Sequence, residues 1–217
     1  MEPTLKDQTN QKLIQSGVEI MDPASTFIDS SVSIAPGVKI YPNNVIEGNT
    51  TIGEGTIIYP SCHITNGTIG ANITIRQSVI TDSTVHDNAT VGPFAYLREH
   101  AVIGPGSRIG NFVEVKNATL AQGVKAAHLA YIGDADVGKN VNYSCGVITS
   151  NYDGKKKHRT TIGDNAFIGS NSNLIAPVTI GENVLVAAGS TITDDLKDNS
   201  LGIARARQVE KLNWVKK

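Results

Sequence analysis

The sequence predicts an all-β chain coiled as a parallel β-helix, and three observations predict it. Aliphatic residues recur every six positions, glycine follows many of them, and Asn, Asp and Gly crowd the intervals between. The register runs through Ile28, Ile34, Ile40, Ile46, Ile52, Ile58 and Ile64. It returns at Val85, Val91, Leu97, Ile103, Ile109 and Val115, and again at Ile162, Ile168, Leu174, Ile180, Val186 and Ile192. A period of six belongs neither to a helix nor to a simple amphipathic strand. A hexapeptide with one obligatory aliphatic, as in Ile52-Gly53, Ile103-Gly104, Ile162-Gly163 and Ile180-Gly181, marks a parallel β-helix.

Each hexapeptide supplies a short strand and a corner, and three complete one coil. Stacking aligns the inward side chains in columns, each worth on the order of 1.5–3 kcal/mol when fully buried. Corners need positive φ, which Gly, Asn and Asp accept cheaply, and runs such as IGENV, IGDNA and EGNTTIGEG supply them. A coil touches only its neighbours, so both ends need caps. Residues 1–16 are read as an N-terminal linker and cap, helix-prone around Asn10 to Ser16. Residues 17–195 are read as the β-helix and residues 196–217 as a C-terminal tail. The period slips from Ile64 to Val79 and from Val115 to Ile162, where a coil must bulge or extrude a loop. The second slip contains NYDGKKKHRT, residues 151–160, with four of the chain's nineteen Lys and Arg.

Composition narrows the chemistry. A formal charge of -1 over 217 residues argues against a general nucleic-acid footprint, so a basic cluster acts locally on a small anion. Cys62 and Cys145 are too few and too far apart in sequence for a disulfide framework or a metal knuckle, and are read as reduced thiols of a cytoplasmic protein. No apolar stretch approaches the ~20 residues that span a bilayer. The start, MEPTLKDQTNQKLIQ, has no charged head followed by a hydrophobic core. His63, His86, His100, His128 and His158 show no tight ligand pair, and no metal is expected.

Loops on a rigid scaffold concentrate function. Within the second slip Lys116, Lys125, Lys155, Lys156, Lys157 and Arg159 can neutralise phosphates, and His128 can exchange a proton near neutral pH. Arg98, in PFAYLREH, sets a cation directly after Leu97. Glu114 reads equally as a polar residue on an outer face. Pattern alone gives a β-helix with an anion-binding loop.

The strings GPFAYLRE, IGNFVEVK, KAAHLAYIGDADVG, VNYSCGVITSNYDGKKKHRT, IGDNAFIGSNSNLIAPVTIG and AAGSTIT add to this. Together they resemble the acetyltransferase half of the bifunctional N-acetylglucosamine-1-phosphate uridyltransferase/glucosamine-1-phosphate acetyltransferase family, from about Asn10 to Trp214. The resemblance implies a left-handed β-helix and a homotrimer with active sites between subunits, to which the tail contributes. It also implies acetyl transfer from acetyl-coenzyme A to the amine of glucosamine-1-phosphate, feeding UDP-N-acetylglucosamine synthesis for peptidoglycan and lipopolysaccharide. Carried over by position, the base falls on His128. Sugar-phosphate contacts fall on Arg98, Lys116, Tyr131, Asn142 and Lys157. Acetyl-coenzyme A contacts fall on Cys145, Asn151, Tyr152, Ser170, Ala188 and Arg205.

Two departures stand out. NYSCG replaces the family's usual NIGAG, setting Tyr143, Ser144 and Cys145 where small residues would flank the thioester. The sequence also lacks the Gly-rich uridyltransferase half, and residues 10 to 30 resemble the segment joining the two halves. A stand-alone acetyltransferase or a fragment of the bifunctional chain is therefore expected. In the expected mechanism His128 takes the amine proton, with Glu114 as an orienting carboxylate. The Asn142 side chain and the Cys145 backbone N–H meet the developing oxyanion. Rival readings are Cys145 as an acyl-enzyme nucleophile, an acyltransferase for another amino-sugar or nucleotide-sugar, a three-His zinc enzyme of the carbonic anhydrase kind, and a non-catalytic scaffold.

Overall fold

The structure, a computed structural model, describes residues 4–212 and Trp214. Residues 1–3, 213 and 215–217, which belong to the expected cap and tail, lie outside the described residues. Every aliphatic of the three six-residue registers is buried, while its strand neighbours are mostly outside, so most strands need only two or three residues. The chain closes about ten turns of a left-handed parallel β-helix, the less common hand for such crossovers.

Three faces result. The first stacks Glu19–Ile20, Lys39–Ile40, Ile57–Ile58, Thr74–Ile75 and Thr90–Val91 in parallel register. The second stacks Phe27–Ile28, Val45–Glu47, His63–Thr65, Val79–Thr81 and Tyr96–Arg98. The third is a nine-stranded sheet running from Ser33–Ile34 to Val178–Ile180.

A second buried position, two residues before the aliphatic, escaped the sequence reading. It holds small residues, among them Cys62, Ser78, Ser83, Ala89, Ala95 and Ser107. The serines are tolerated because the backbone satisfies them. Ser107 Oγ donates to Ala121 O at 3.1 Å and accepts from Val124 N–H at 3.2 Å. A hydropathy pattern cannot mark such a position as interior.

The two slips are met differently. From Ile58 to Ile75 and from Ile75 to Val91 the coils only shorten, and no loop leaves the first slip. In the second, Arg108–Lys116 and Lys125–Gly133 run unbroken around the corner between the first two faces. They pair from Arg108↔Lys125 to Lys116↔Gly133. One coil higher, the corner between Ile148–Ser150 and Thr160–Ile162 throws out the basic loop.

The front cap is a helix, Leu5–Gln15, which starts earlier than the segment expected from Asn10. Thr4 and Asp7 form a reciprocal capping box at its start. Asn10, on the inner face of this helix, is buried, its Nδ2 donating to Pro23 O at 3.1 Å and Thr26 O at 3.0 Å. At the other end Leu201–Gly202 pairs with Leu185–Val186, and the tail beyond is exposed. No helix is long and apolar enough to cross a membrane.

Candidate active site

Stacking brings distant residues into columns. On the second face Tyr96, Glu114 and Tyr131 are register partners in successive coils, and so are Arg98, Lys116 and Gly133. Gly133 carries no side chain, and the Tyr131 phenol occupies the space where one would lie. Arg98 Nε donates to Glu114 Oε1 at 2.8 Å, and the guanidinium also pairs with Glu99. Lys116 is buried, with its ammonium 3.2 Å from Glu99 and 3.4 Å from Asp134.

Asp134 ties this cluster to the loop. It accepts from Asn117 Nδ2 at 2.5 Å and from Asn151, whose amide also reaches the Tyr131 hydroxyl at 3.4 Å. Burial opposes the ionised form of Asp134, but the Asn117, Asn151 and Lys116 donors outweigh it and hold its pKa low. Lys157 lies beside Lys116. Burial works against charge on Lys116, yet its ion pairs with Glu99 and Asp134 hold its pKa above the ordinary lysine value. Contact with Lys116 lowers that of Lys157.

The loop is folded rather than loose. Asp153 accepts from the Lys155 and Lys156 N–H groups, each at 2.7 Å, and lies 2.8 Å from His158 Nε2. The Lys156 N–H and His158 bring its pKa down to about 2. Arg159 differs from its expected role as a phosphate cation. It pairs with Asp136 at 2.6 Å and donates to Ala135 O at 3.1 Å, fastening the loop's end to the third face. Lys155 and Lys156 are exposed, as is Tyr152, whose hydroxyl donates to Gly154 O at 2.8 Å.

Around the corner, a groove of about 370 Å³ is lined by Arg108, Lys125, His128, Asn142, Cys145 and Ser170. His128 Nδ1 lies 3.3 Å from Asn111 Oδ1, its register partner one coil below. Within one chain the Glu114 carboxylate expected to orient His128 is instead engaged by Arg98, and Asn111 is the residue against the imidazole. Asn142 Nδ2 donates to Ser144 Oγ at 3.0 Å. The Cys145 thiol is exposed. Further along, Arg205 donates to Ala188 O at 2.7 Å, joining two of the residues expected at the acetyl donor.

The expected effect of Tyr143 on the thioester pocket is also revised. Its side chain is fully buried in the prism, in the column of Ile168, and its hydroxyl has no partner. The expected residues therefore separate into two groups. Arg98, Glu114, Lys116, Tyr131, Asn151 and Lys157 gather on the second face and loop, while His128, Asn142, Cys145 and Ser170 share the groove. Asn151 falls in the first group, not beside Cys145. Asn111, Asn117 and Asp134 were missed, although Asn111 to His128 and Asn117 to Asp134 each span the seventeen residues of one coil here. Among the described residues, no three His, Cys, Asp or Glu are placed to hold a metal ion.

The model of the bacterial transferase hexapeptide family, built of six repeats, matches residues 31–66, 82–117 and 159–194. The chain belongs to this family. Relatives named Bifunctional protein GlmU match along the whole chain. That of a Geobacillus species is 54% identical over 214 residues, 99% of this chain and 47% of its own length. That of Exiguobacterium sibiricum is 53% identical over 98% of this chain and 47% of its own. That of Clostridium beijerinckii is 48% identical over 100% and 48%. The chain spans about half the length of these relatives. Among solved structures, the UDP-N-acetylglucosamine acyltransferase from Campylobacter jejuni superposes with a TM-score of 0.59 at 16% identity, covering 84% of this chain and 70% of that one. The Francisella novicida enzyme gives 0.58 at 18% identity, covering 85% and 66%. These two share the hexapeptide-repeat fold.

Proposed function

We propose that the chain is a glucosamine-1-phosphate N-acetyltransferase using acetyl-coenzyme A. The observation that carries this reading is one strand, Lys125–Gly133, which lends His128 to the groove and Tyr131 to the cation cluster. A proton acceptor and a phosphate-binding cluster thus lie on either side of one corner. The GlmU relatives and the motif resemblance support the same substrates.

In this reading Arg98, Lys116 and Lys157 hold the sugar phosphate and Tyr131 covers it. The amine attacks the thioester carbonyl, its proton passes to His128, and coenzyme A leaves through sulfur. With Nδ1–H donated to Asn111 Oδ1, the Nε2 lone pair of His128 stays free to accept that proton. Asn142 keeps one amide hydrogen beyond its bond to Ser144, which together with the Cys145 backbone N–H meets the oxyanion. Cys145, Tyr152, Ser170, Ala188 and Arg205 are proposed for the acetyl donor, while Asn151 supports Tyr131.

A homotrimer with sites between subunits fits an apolar ridge. Phe94, Phe112 and Leu129 occupy one corner of successive coils, all exposed and all at positive φ, with the two phenyl rings stacked at 5.5 Å. Three large apolar groups at a strained, solvent-facing position favour a protein neighbour. The substrates are cytoplasmic metabolites, which fits a cytoplasmic protein supplying UDP-N-acetylglucosamine for cell-wall synthesis.

The test is thiol release from acetyl-coenzyme A with glucosamine-1-phosphate, set against glucosamine-6-phosphate and UDP-linked amino-sugars. Release specific to the 1-phosphate is expected, with His128→Ala lowering kcat by about 10²–10⁴-fold. Turnover by His128→Ala within about threefold of the parent would remove His128 as the base.

A further inference from the structure

Glu99 is a member of the cation cluster to which the proposed reaction gives no task. It follows Arg98 at the corner with its backbone in the left-handed region, φ 49°. Its carboxylate spans the Arg98 guanidinium on one side and the Lys116 ammonium, at 3.2 Å, on the other. The neighbouring carboxylates are held otherwise. Asp134 is buried and bound by Asn117 and Asn151, and Glu114 is bound by Arg98 alone along the second face. The Glu99 side chain is 51% exposed, and the contacts found for it are these two cations. It can therefore swing into water at little cost, and Asp134 cannot.

We propose that Glu99 fills the position an incoming phosphate takes, and that it makes the site selective for phosphate monoester dianions. This rests on the reading of Arg98, Lys116 and Lys157 as the sugar-phosphate site. A monoester carries close to two negative charges near neutral pH. Trading the single charge of Glu99 for such a group leaves Arg98, Lys116 and Lys157 better compensated. A monoanion, such as a phosphodiester or a sugar carboxylate, trades one charge for one and gains little. Glu99 is thus a resident competitor that weak anions do not displace.

The experiment is calorimetric titration of the full chain and its Glu99→Gln variant with inorganic phosphate and with dimethyl phosphate, a monoanion, at pH 7.5. The variant is expected to bind inorganic phosphate about two- to fivefold more tightly, the range for removing a competing half-exposed charge. It should also gain measurable affinity for dimethyl phosphate, which the parent lacks. Equal or weaker phosphate binding by Glu99→Gln would overturn the role of Glu99 while leaving the cation site standing. Phosphate binding by neither protein would overturn the cation site itself, and the substrate reading with it. Loss of parental phosphate binding in Lys157→Ala shows that the heat comes from this cluster.

Discussion

One oxygen of Glu114 accepts from Arg98 Nε at 2.8 Å and lies 2.7 Å from Nη2 of the same guanidinium. Within one chain the carboxylate therefore aims a guanidinium, and Asn111 is the group beside His128. Glu114→Gln should raise KM for glucosamine-1-phosphate by about two- to fivefold, as expected for weakening one partly exposed charge pair. Its kcat should stay within about threefold of the parent, since no group at the reacting amine has changed. Steady-state kinetics separate these quantities. A collapse of kcat at normal KM would return Glu114 to the base.

Gly133 gives a steric test of the same cluster. Its φ is not in the left-handed region, so alanine is allowed by the backbone, but a methyl there runs into the Tyr131 phenol. Gly133→Ala should push Tyr131 off the cluster and raise KM for the sugar phosphate roughly tenfold, because positioning groups are sensitive to small displacements. An unchanged KM would show that Tyr131 makes no contact with the substrate.

Tyr143 bears on stability. Its hydroxyl is buried without a partner, and burial pushes its pKa well above the ordinary phenol value. The ring fits because Ala126 holds the corresponding inward position of the coil below. Tyr143→Phe should stabilise the fold by about 1 kcal/mol, read as a higher denaturation midpoint in urea. A lower midpoint would reveal a partner for the hydroxyl.

The two thiols should behave differently. Cys62 is buried, its Sγ donates to Tyr59 O at 3.2 Å, and burial raises its pKa to about 11. At pH 8 a thiol reagent should modify one cysteine of the native chain, Cys145, and both after denaturation. The unfolded thiol ionises near pH 8.5, so stability from keeping Cys62 neutral is complete below that value and is lost as pH rises towards 11. Rapid modification of both native thiols would contradict the burial of Cys62.

Much of the fold was legible because its rule is repetitive. Ile28 through Ile192 mark the interior by position, and glycine and asparagine mark the corners. The two unbroken strands were not legible, because nothing in the six-residue pattern separates Phe112 and Leu129 from Phe94, which holds the same corner between two short strands. Nor was the small interior position, since Ser78 and Ser107 look exposed until their backbone partners are known. At the candidate site the chemistry-bearing residues were readable from their motifs. Their partners were not, because Asn111 with His128 and Asp134 with Lys116 depend on how many residues each coil consumes. That Glu114 would face Arg98 rather than His128 follows from the same count.

The longest ladder in the molecule is the one between Arg108–Lys116 and Lys125–Gly133. Most other joins between coils rest on strands of two or three residues. Under tension applied at its ends, such a coiled chain peels turn by turn, and the weakest joins part first. The pair carrying Lys116, His128 and Tyr131 should part last, so an unwinding molecule would shed its ends while the two turns at its candidate site still held together.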